Sequence, residues 1–195
     1  MRVVSGKWGG RPLEPPEGRA VTRPTTDRAR EAMASMILSA RGLDMGGASV
    51  LDAFAGSGAM GIELLSRGAA RCTFIDQDPR AAAGVRRNLA LVGAERGSFS
   101  VLRGDACRLA ERGAIFGAPF DVVLLDPPYA MSASAVSAML ERLSAHGALC
   151  RGAIVVYERS AGAPGLSVTG LAPVRTKRYG ITCVDLLKAK GPDVD

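Results

Sequence analysis

Four consecutive residues, Asp126-Pro127-Pro128-Tyr129, bring together groups suited to chemistry on an amine attached to a flat ring. They close the apolar run DVVLL, which reads as a strand that delivers Asp126 at its carboxyl end. Two consecutive prolines fix a stiff turn, and Pro127 keeps a carbonyl while lacking an N–H. Tyr129 offers a flat face on which a base can stack. The lone pair of a ring-attached amine is delocalised, so that nitrogen is a poor nucleophile. A carboxylate and a proline carbonyl that accept its N–H bonds turn the lone pair toward an incoming methyl group. The fixed carboxylate also stabilises the positive charge that develops on nitrogen, and in-line positioning supplies much of the remaining acceleration. No strong base is needed, and the single histidine, His146, reads as a structural helix-end residue.

A second cluster runs Asp52-Ala53-Phe54-Ala55-Gly56-Ser57-Gly58-Ala59-Met60-Gly61, with Asp76 twenty residues after Gly56. The glycines fit G-x-G-x-x-G, and an acidic group at the end of the next strand suits ribose hydroxyls, so the ligand contains adenosine. Nicotinamide dinucleotides and S-adenosylmethionine share this pattern. Asp52 favours S-adenosylmethionine, because a carboxylate before the turn engages an ammonium group and repels a pyrophosphate. Asp105, in RGDAC, either accepts from an adenine amine or caps a helix. The dinucleotide reading leaves Asp126-Pro127-Pro128-Tyr129 without a role.

The elements that must position these groups begin near residue 48. SVLDAF, CTFID, FSVL, DVVLLD and AIVVYE read as strands; AMGIELLSRG, PRAAAGVRRNLALVG and ASAVSAMLERLSAHG read as helices between them. Such alternation predicts an α/β fold with a parallel sheet covered on both faces, and ligands at the carboxyl ends of its strands. Asp126 is therefore expected in the same crevice as Gly56 and Asp76. LSVTGLAPVRTKRYG and ITCVDLLK predict an antiparallel hairpin turning near Gly180. Upstream, RVV and RPLE can pair as a small hairpin, followed by a proline-rich loop and a helix from TTDRAREAMASMIL. Thr25 or Thr26 would cap that helix, with Ala29, Ala32, Met33, Met36 and Ile37 on one stripe. The organisation is a basic arm over residues 1–24, one catalytic domain over 25–190 and a tail over 191–195.

Of 195 residues, 47% are apolar, which excludes a disordered chain. No apolar run reaches the length of a membrane span and no signal peptide is present, so the expected compartment is the cytoplasm. The four cysteines are scattered, without zinc-ligand spacing, so free thiols and no metal are expected. The net charge of +6 sits at the ends. Residues 1–30 hold seven basic side chains against three acidic ones, and residues 175–190 hold five against Asp185. The stretch between carries thirteen of each sign. A neutral body with basic ends suits a polyanion gripped from both termini.

The chain closely resembles the RsmD-type methyltransferases over nearly its whole length. The resemblance rests on R-V-V-S-G…G-R-P-L, on Arg23-Pro24-Thr25-Thr26-Asp27-Arg28-x-Arg30-Glu31-Ala32, on the glycine turn and the following Leu65-Ser66-Arg67-Gly68-Ala69, on Asp126-Pro127-Pro128-Tyr129 and on Lys177-x-Tyr179-Gly180-x-Thr182. It implies a class I S-adenosylmethionine-dependent, Rossmann-like fold with seven strands, the last antiparallel, plus the short basic N-terminal arm. It also implies methylation of a guanine N2 in 16S ribosomal RNA, presented by an assembling small subunit. On that reading Asp126, Pro127, Pro128 and Tyr129 are catalytic. Asp52, Phe54, Gly56, Ser57, Gly58, Asp76 and Asp105 hold the cofactor. Arg23, Thr25 and Asp27 either order a lid over the cofactor, to which Thr25 would then contribute, or cap the helix. Arg2, Lys7, Arg11, Arg23, Arg28, Lys177, Arg178 and Tyr179 are the expected RNA contacts. The alternatives are an adenine-N6 amino methylase of DNA or other RNA, and a nonenzymatic RNA-binding assembly factor.

Overall fold

The alternation of apolar runs and amphipathic segments resolves into one mixed sheet between two layers of helices. The computed structural model describes residues 1–16, 27–113 and 115–190. Arg23, Thr25 and Thr26 lie outside the described residues, as does the tail at 191–195. In chain order the elements are α1 (Asp27–Ala40), β1 (Ser49–Asp52), α2 (Ala59–Ser66), β2 (Arg71–Asp76), α3 (Pro79–Leu91), β3 (Phe99–Arg103), α4 (Ala106–Glu111), β4 (Phe120–Leu125), α5 (Ala133–Ala145), β5 (Leu149–Ser160), β6 (Leu171–Tyr179) and β7 (Thr182–Ala189). The seven strands lie in the order β3-β2-β1-β4-β5-β7-β6. β1 to β5 pair in parallel; β7 runs antiparallel to both β5 and β6, as expected of the last strand. The order reverses between β1 and β4, the position where open sheets of this type leave a crevice.

Strand side chains alternate between the two faces. Val50, Phe74, Val122, Leu124, Ile154 and Val156 pack under α1, α2 and α3; Leu51, Ile75, Val123, Leu125 and Val155 pack against α4 and α5. Gly61 keeps α2 close to the sheet, since a Cβ there would stand 2.4 Å from the Phe74 ring. Asp78 caps α3 with Pro79 at its first position, and Ser132 caps α5.

Two local expectations change, in α1 and β5, and one short helix is added. The buried stripe of α1 is Arg30, Met33, Ala34, Met36 and Ile37, rotated from the one that begins at Ala29. The helix α4 is too short for periodicity to reveal; Asp105 caps it by accepting from the amides of Cys107 and Arg108. β5 continues past Glu158 to Ser160, because antiparallel pairing from Ile154↔Lys188 to Ser160↔Thr182 extends it beyond the parallel rim.

The N-terminal hairpin forms, with Arg2 bridged to Pro12 and the amide of Val3 donating to the Arg11 carbonyl at 2.9 Å. Val3, Trp8 and Leu13 are buried in the core shared with α2 and α3. Glu63, fully buried on α2, accepts from the amides of Val4 and Ser5 at 2.7 and 3.0 Å while Arg67 neutralises it. Ser66 receives the Trp8 amide on its hydroxyl and the Lys7 amide on its carbonyl. A buried Asn88 on α3 binds the Glu14 amide and carbonyl, and donates to the Ser57 carbonyl at 2.9 Å. One side chain thus bolts the hairpin to the glycine turn.

Candidate active site

The carboxyl ends of the strands collect acids. Asp52 ends β1 and is buried, accepting from the Gly61 amide at 3.2 Å. Asp76 ends β2; it accepts from the amides of Gly56 at 2.8 Å and Asp78 at 2.9 Å, so it shapes the glycine turn from below. Asp126 follows β4 directly, and Glu158 stands beside it on β5, one residue beyond the Leu125↔Tyr157 pair. Burial pushes the Asp52 carboxyl up to about 7, against the Gly61 amide, and the nearby charges of Asp126 and Asp76 add to the rise. Burial, then Asp126, pushes Glu158 up to about 8.

Two concavities meet at Asp126 and Glu158. One, of about 560 Å³, is lined by Arg30, Asp52, Phe54, Ser57, Asp126 and Glu158 together with apolar groups such as Met33 and Met60. The other, of about 380 Å³, lies on the far side of Asp126 and is walled by Pro127, Pro128, Tyr129, Glu158, Arg159 and Thr182. Tyr129 is 75% exposed, leaving its ring face open. A low-dielectric cleft with several carboxylates suits a cationic ligand. Arg30 supplies the opposite sign: it is 3% exposed and its Nε has no partner among the described residues, while its Nη atoms serve the Arg2 carbonyl and Asp27. A ligand with a cationic centre, a carboxylate and an apolar body fits this donor set.

A family model, described as "Conserved hypothetical protein 95", matches residues 1–188. "Putative rRNA methyltransferase YlbH" of Bacillus subtilis is 36% identical over 193 residues, spanning 98% of this chain and 100% of that protein. "Ribosomal RNA small subunit methyltransferase D" of Escherichia coli is 38% identical over 130 residues, 66% of this chain and 60% of that protein. The chain belongs to the RsmD-type family. The solved structure of "Putative methyltransferase yhhF" from Escherichia coli superposes with a TM-score of 0.80 at 30% identity, covering 97% of this chain and 98% of that one. SMU.776, solved with S-adenosylhomocysteine, shares the fold at a TM-score of 0.64 and 14% identity over 80% of this chain and 48% of that one. The fold is that of class I S-adenosylmethionine-dependent methyltransferases.

For this RsmD-type chain, the structure unites Asp52, Phe54, Ser57 and Asp126 around one cleft, with Gly56 and Gly58 in the turn at its edge. Asp105 stands at the end of β3, on the outer side of β2, with its carboxylate engaged as a helix cap. Of the expected RNA contacts, Arg2, Lys7, Arg11, Arg28, Lys177 and Arg178 are exposed. Arg2 also pairs with Asp27, Lys7 covers the Trp8 ring at 4.5 Å, and Arg11 donates to the Val92 carbonyl at 2.6 Å. Tyr179 differs, with its ring packed on the core and its hydroxyl buried.

Three lining residues stand outside the sequence expectations: Glu158, Arg159 and Arg30 in its cleft-facing role. Each left a signal. Glu158 is an acid at a strand end, like Asp52, Asp76 and Asp126, and Arg30 lies three residues before Met33 on the buried stripe of α1. Arg159 is held by Asp185 at 2.6 Å and donates to the Ala163 carbonyl at 2.6 Å, a partnership that only the β5–β7 pairing creates.

Proposed function

We propose that this protein transfers a methyl group from S-adenosylmethionine to the exocyclic N2 of a guanine in 16S ribosomal RNA, acting in the cytoplasm on the assembling small subunit. The observation that carries this reading is the position of Asp126, at the junction between the cleft that ends at the glycine turn and the pocket that opens beside Tyr129. The names of the curated relatives support ribosomal RNA as the substrate class.

Asp52 and the backbone of Gly56-Ser57-Gly58 hold the polar parts of the cofactor, Arg30 takes its carboxylate, and Phe54 and Met60 cover its apolar surface. Asp76 fixes the turn and reaches the ribose; Asp105 accepts from the adenine amine while capping α4. When bound, S-adenosylmethionine supplies an electrophilic methyl group on a sulfonium. The target base leaves its helix and stacks on Tyr129. The Asp126 carboxylate and the Pro127 carbonyl accept the two N–H bonds of its amine, which orients the nitrogen lone pair toward the cleft. Asp126 then stabilises the charge that builds on nitrogen. Pro128 stiffens the loop so that neither acceptor wanders. Arg2, Lys7, Arg11, Arg28, Lys177 and Arg178 hold phosphates of the RNA, with Tyr179 bracing the hairpin that carries the last two, and Arg23 is assigned to the same duty from the sequence alone.

The test is transfer of a labelled methyl group to small subunits from cells lacking this protein, followed by nucleoside analysis. N2-methylguanosine at one site, absent with Asp126→Ala, is the expected result. Label in N6-methyladenosine would favour the adenine-methylase alternative, and tight RNA binding without transfer would favour the assembly factor.

A further inference from the structure

Among the described residues, Asp126 and Glu158 are the two that line both the cofactor cleft and the pocket beside Tyr129. Their juxtaposition follows from the sheet. Leu125 and Tyr157 are register partners and point toward the α5 face, so the next residues, Asp126 and Glu158, both turn to the opposite face. The strain of placing two acids together is visible in Glu158, whose carboxyl is pushed up by burial and by Asp126. Whether ionised or protonated, Glu158 retains an oxygen that accepts a hydrogen bond.

The Watson–Crick edge of guanine carries a second donor, the ring N1–H, immediately beside N2. With the amine held by Asp126 and the Pro127 carbonyl, that N1–H would be buried without a partner unless the wall supplied an acceptor. Adenine has a bare lone pair at N1, which would face the oxygen instead. Arg159, also in the wall, only donates and is engaged by Asp185 and the Ala163 carbonyl. We propose that Glu158 is the residue that selects guanine, accepting its ring N1–H while Asp126 holds the amine; this rests on the guanine-N2 activity proposed above. The positive charge that develops on N2 withdraws electron density from the adjacent N1–H and makes it a stronger donor, so its hydrogen bond to Glu158 strengthens as transfer proceeds.

The test uses small subunits reconstituted with either guanosine or 1-methylguanosine at the target position, in single-turnover transfer with wild type, Glu158→Ala and Glu158→Gln. Calorimetry of S-adenosylhomocysteine binding accompanies each variant. Glu158→Ala should slow transfer to guanosine about 10- to 100-fold, the usual loss for a buried donor left unpaired. Its S-adenosylhomocysteine affinity should change far less than the transfer rate, and the penalty that 1-methylguanosine imposes on wild type should largely vanish. Glu158→Gln, which keeps an accepting carbonyl, should recover most of the rate. An equal 1-methylguanosine penalty in wild type and Glu158→Ala would overturn the assignment, as would transfer by Glu158→Ala at the wild-type rate. A loss of S-adenosylhomocysteine binding in Glu158→Ala would also overturn it, placing Glu158 in the cofactor site. Wild-type protein that leaves guanosine N2 unmodified would overturn the activity itself.

Discussion

Asp126 and Asp52 occupy the same kind of position, at the carboxyl end of a strand, and have opposite duties. On the proposed reading Asp126 meets the substrate, so Asp126→Ala should lower the rate of transfer about 100-fold or more while S-adenosylhomocysteine binding persists in calorimetry. Asp52, on the same reading, meets the cofactor from within the protein. With its carboxyl near 7, it is protonated at lower pH in the free protein, and a cationic ligand favours its ionised form. Cofactor binding should therefore tighten as pH rises from 6 to 8 and release a proton near pH 7. Titrations in buffers of different ionisation enthalpy measure that release, which Asp52→Asn should abolish. The same shift acts on stability. Asp52 and Glu158 bind protons more tightly folded than unfolded, so their contribution is intact below the ordinary carboxylate range and falls as pH rises through about 7 and about 8. Thermal melts of the free protein at pH 5 and 8 should show that decline, smaller in Asp52→Asn. Asp52, Asp76 and Asp126 could be read from the sequence because each closes a local apolar run. Glu158 closes one too, yet its partner Asp126 is set by strand register, which no local pattern encodes.

The elements were readable where their signals are local and repeated. Strands β1 to β4 and helices α2, α3 and α5 follow from apolar periodicity and caps, and their order implies the parallel sheet. The docking of the N-terminal hairpin does not, because it depends on Glu63 and Ser66, which lie 59 residues from Val4 and 58 residues from Trp8 respectively. Gly6 sits at the tightest point: its φ is +82° and an added Cβ would lie 2.1 Å from the Ser66 carbonyl oxygen. Gly6→Ala should cost about 2 kcal/mol or more and lower the melting temperature by roughly 4–8 °C. Tryptophan fluorescence should report the change directly, since the buried Trp8 is the single tryptophan of the chain.

Across the whole molecule, basic groups from opposite ends of the chain are carried on two hairpins, one seated on α2 and the other at the sheet edge formed by β6. If both hold phosphates, the logarithm of RNA affinity should fall linearly with the logarithm of salt concentration. Lys177→Ala and Arg178→Ala should each reduce that slope by about one and leave the choice of nucleotide unaltered, as filter binding across a salt series would show. The Asn88 bolt then has a thermodynamic meaning. It joins the hairpin that carries Arg2, Lys7 and Arg11 to the glycine turn, so under the proposed function the RNA and the cofactor would share one mechanical link. Linkage makes such a coupling reciprocal: the factor by which S-adenosylhomocysteine raises affinity for the subunit equals the factor by which the subunit raises affinity for S-adenosylhomocysteine. Asn88→Ala should bring both factors toward one together, and the enzyme would then bind its two ligands as strangers.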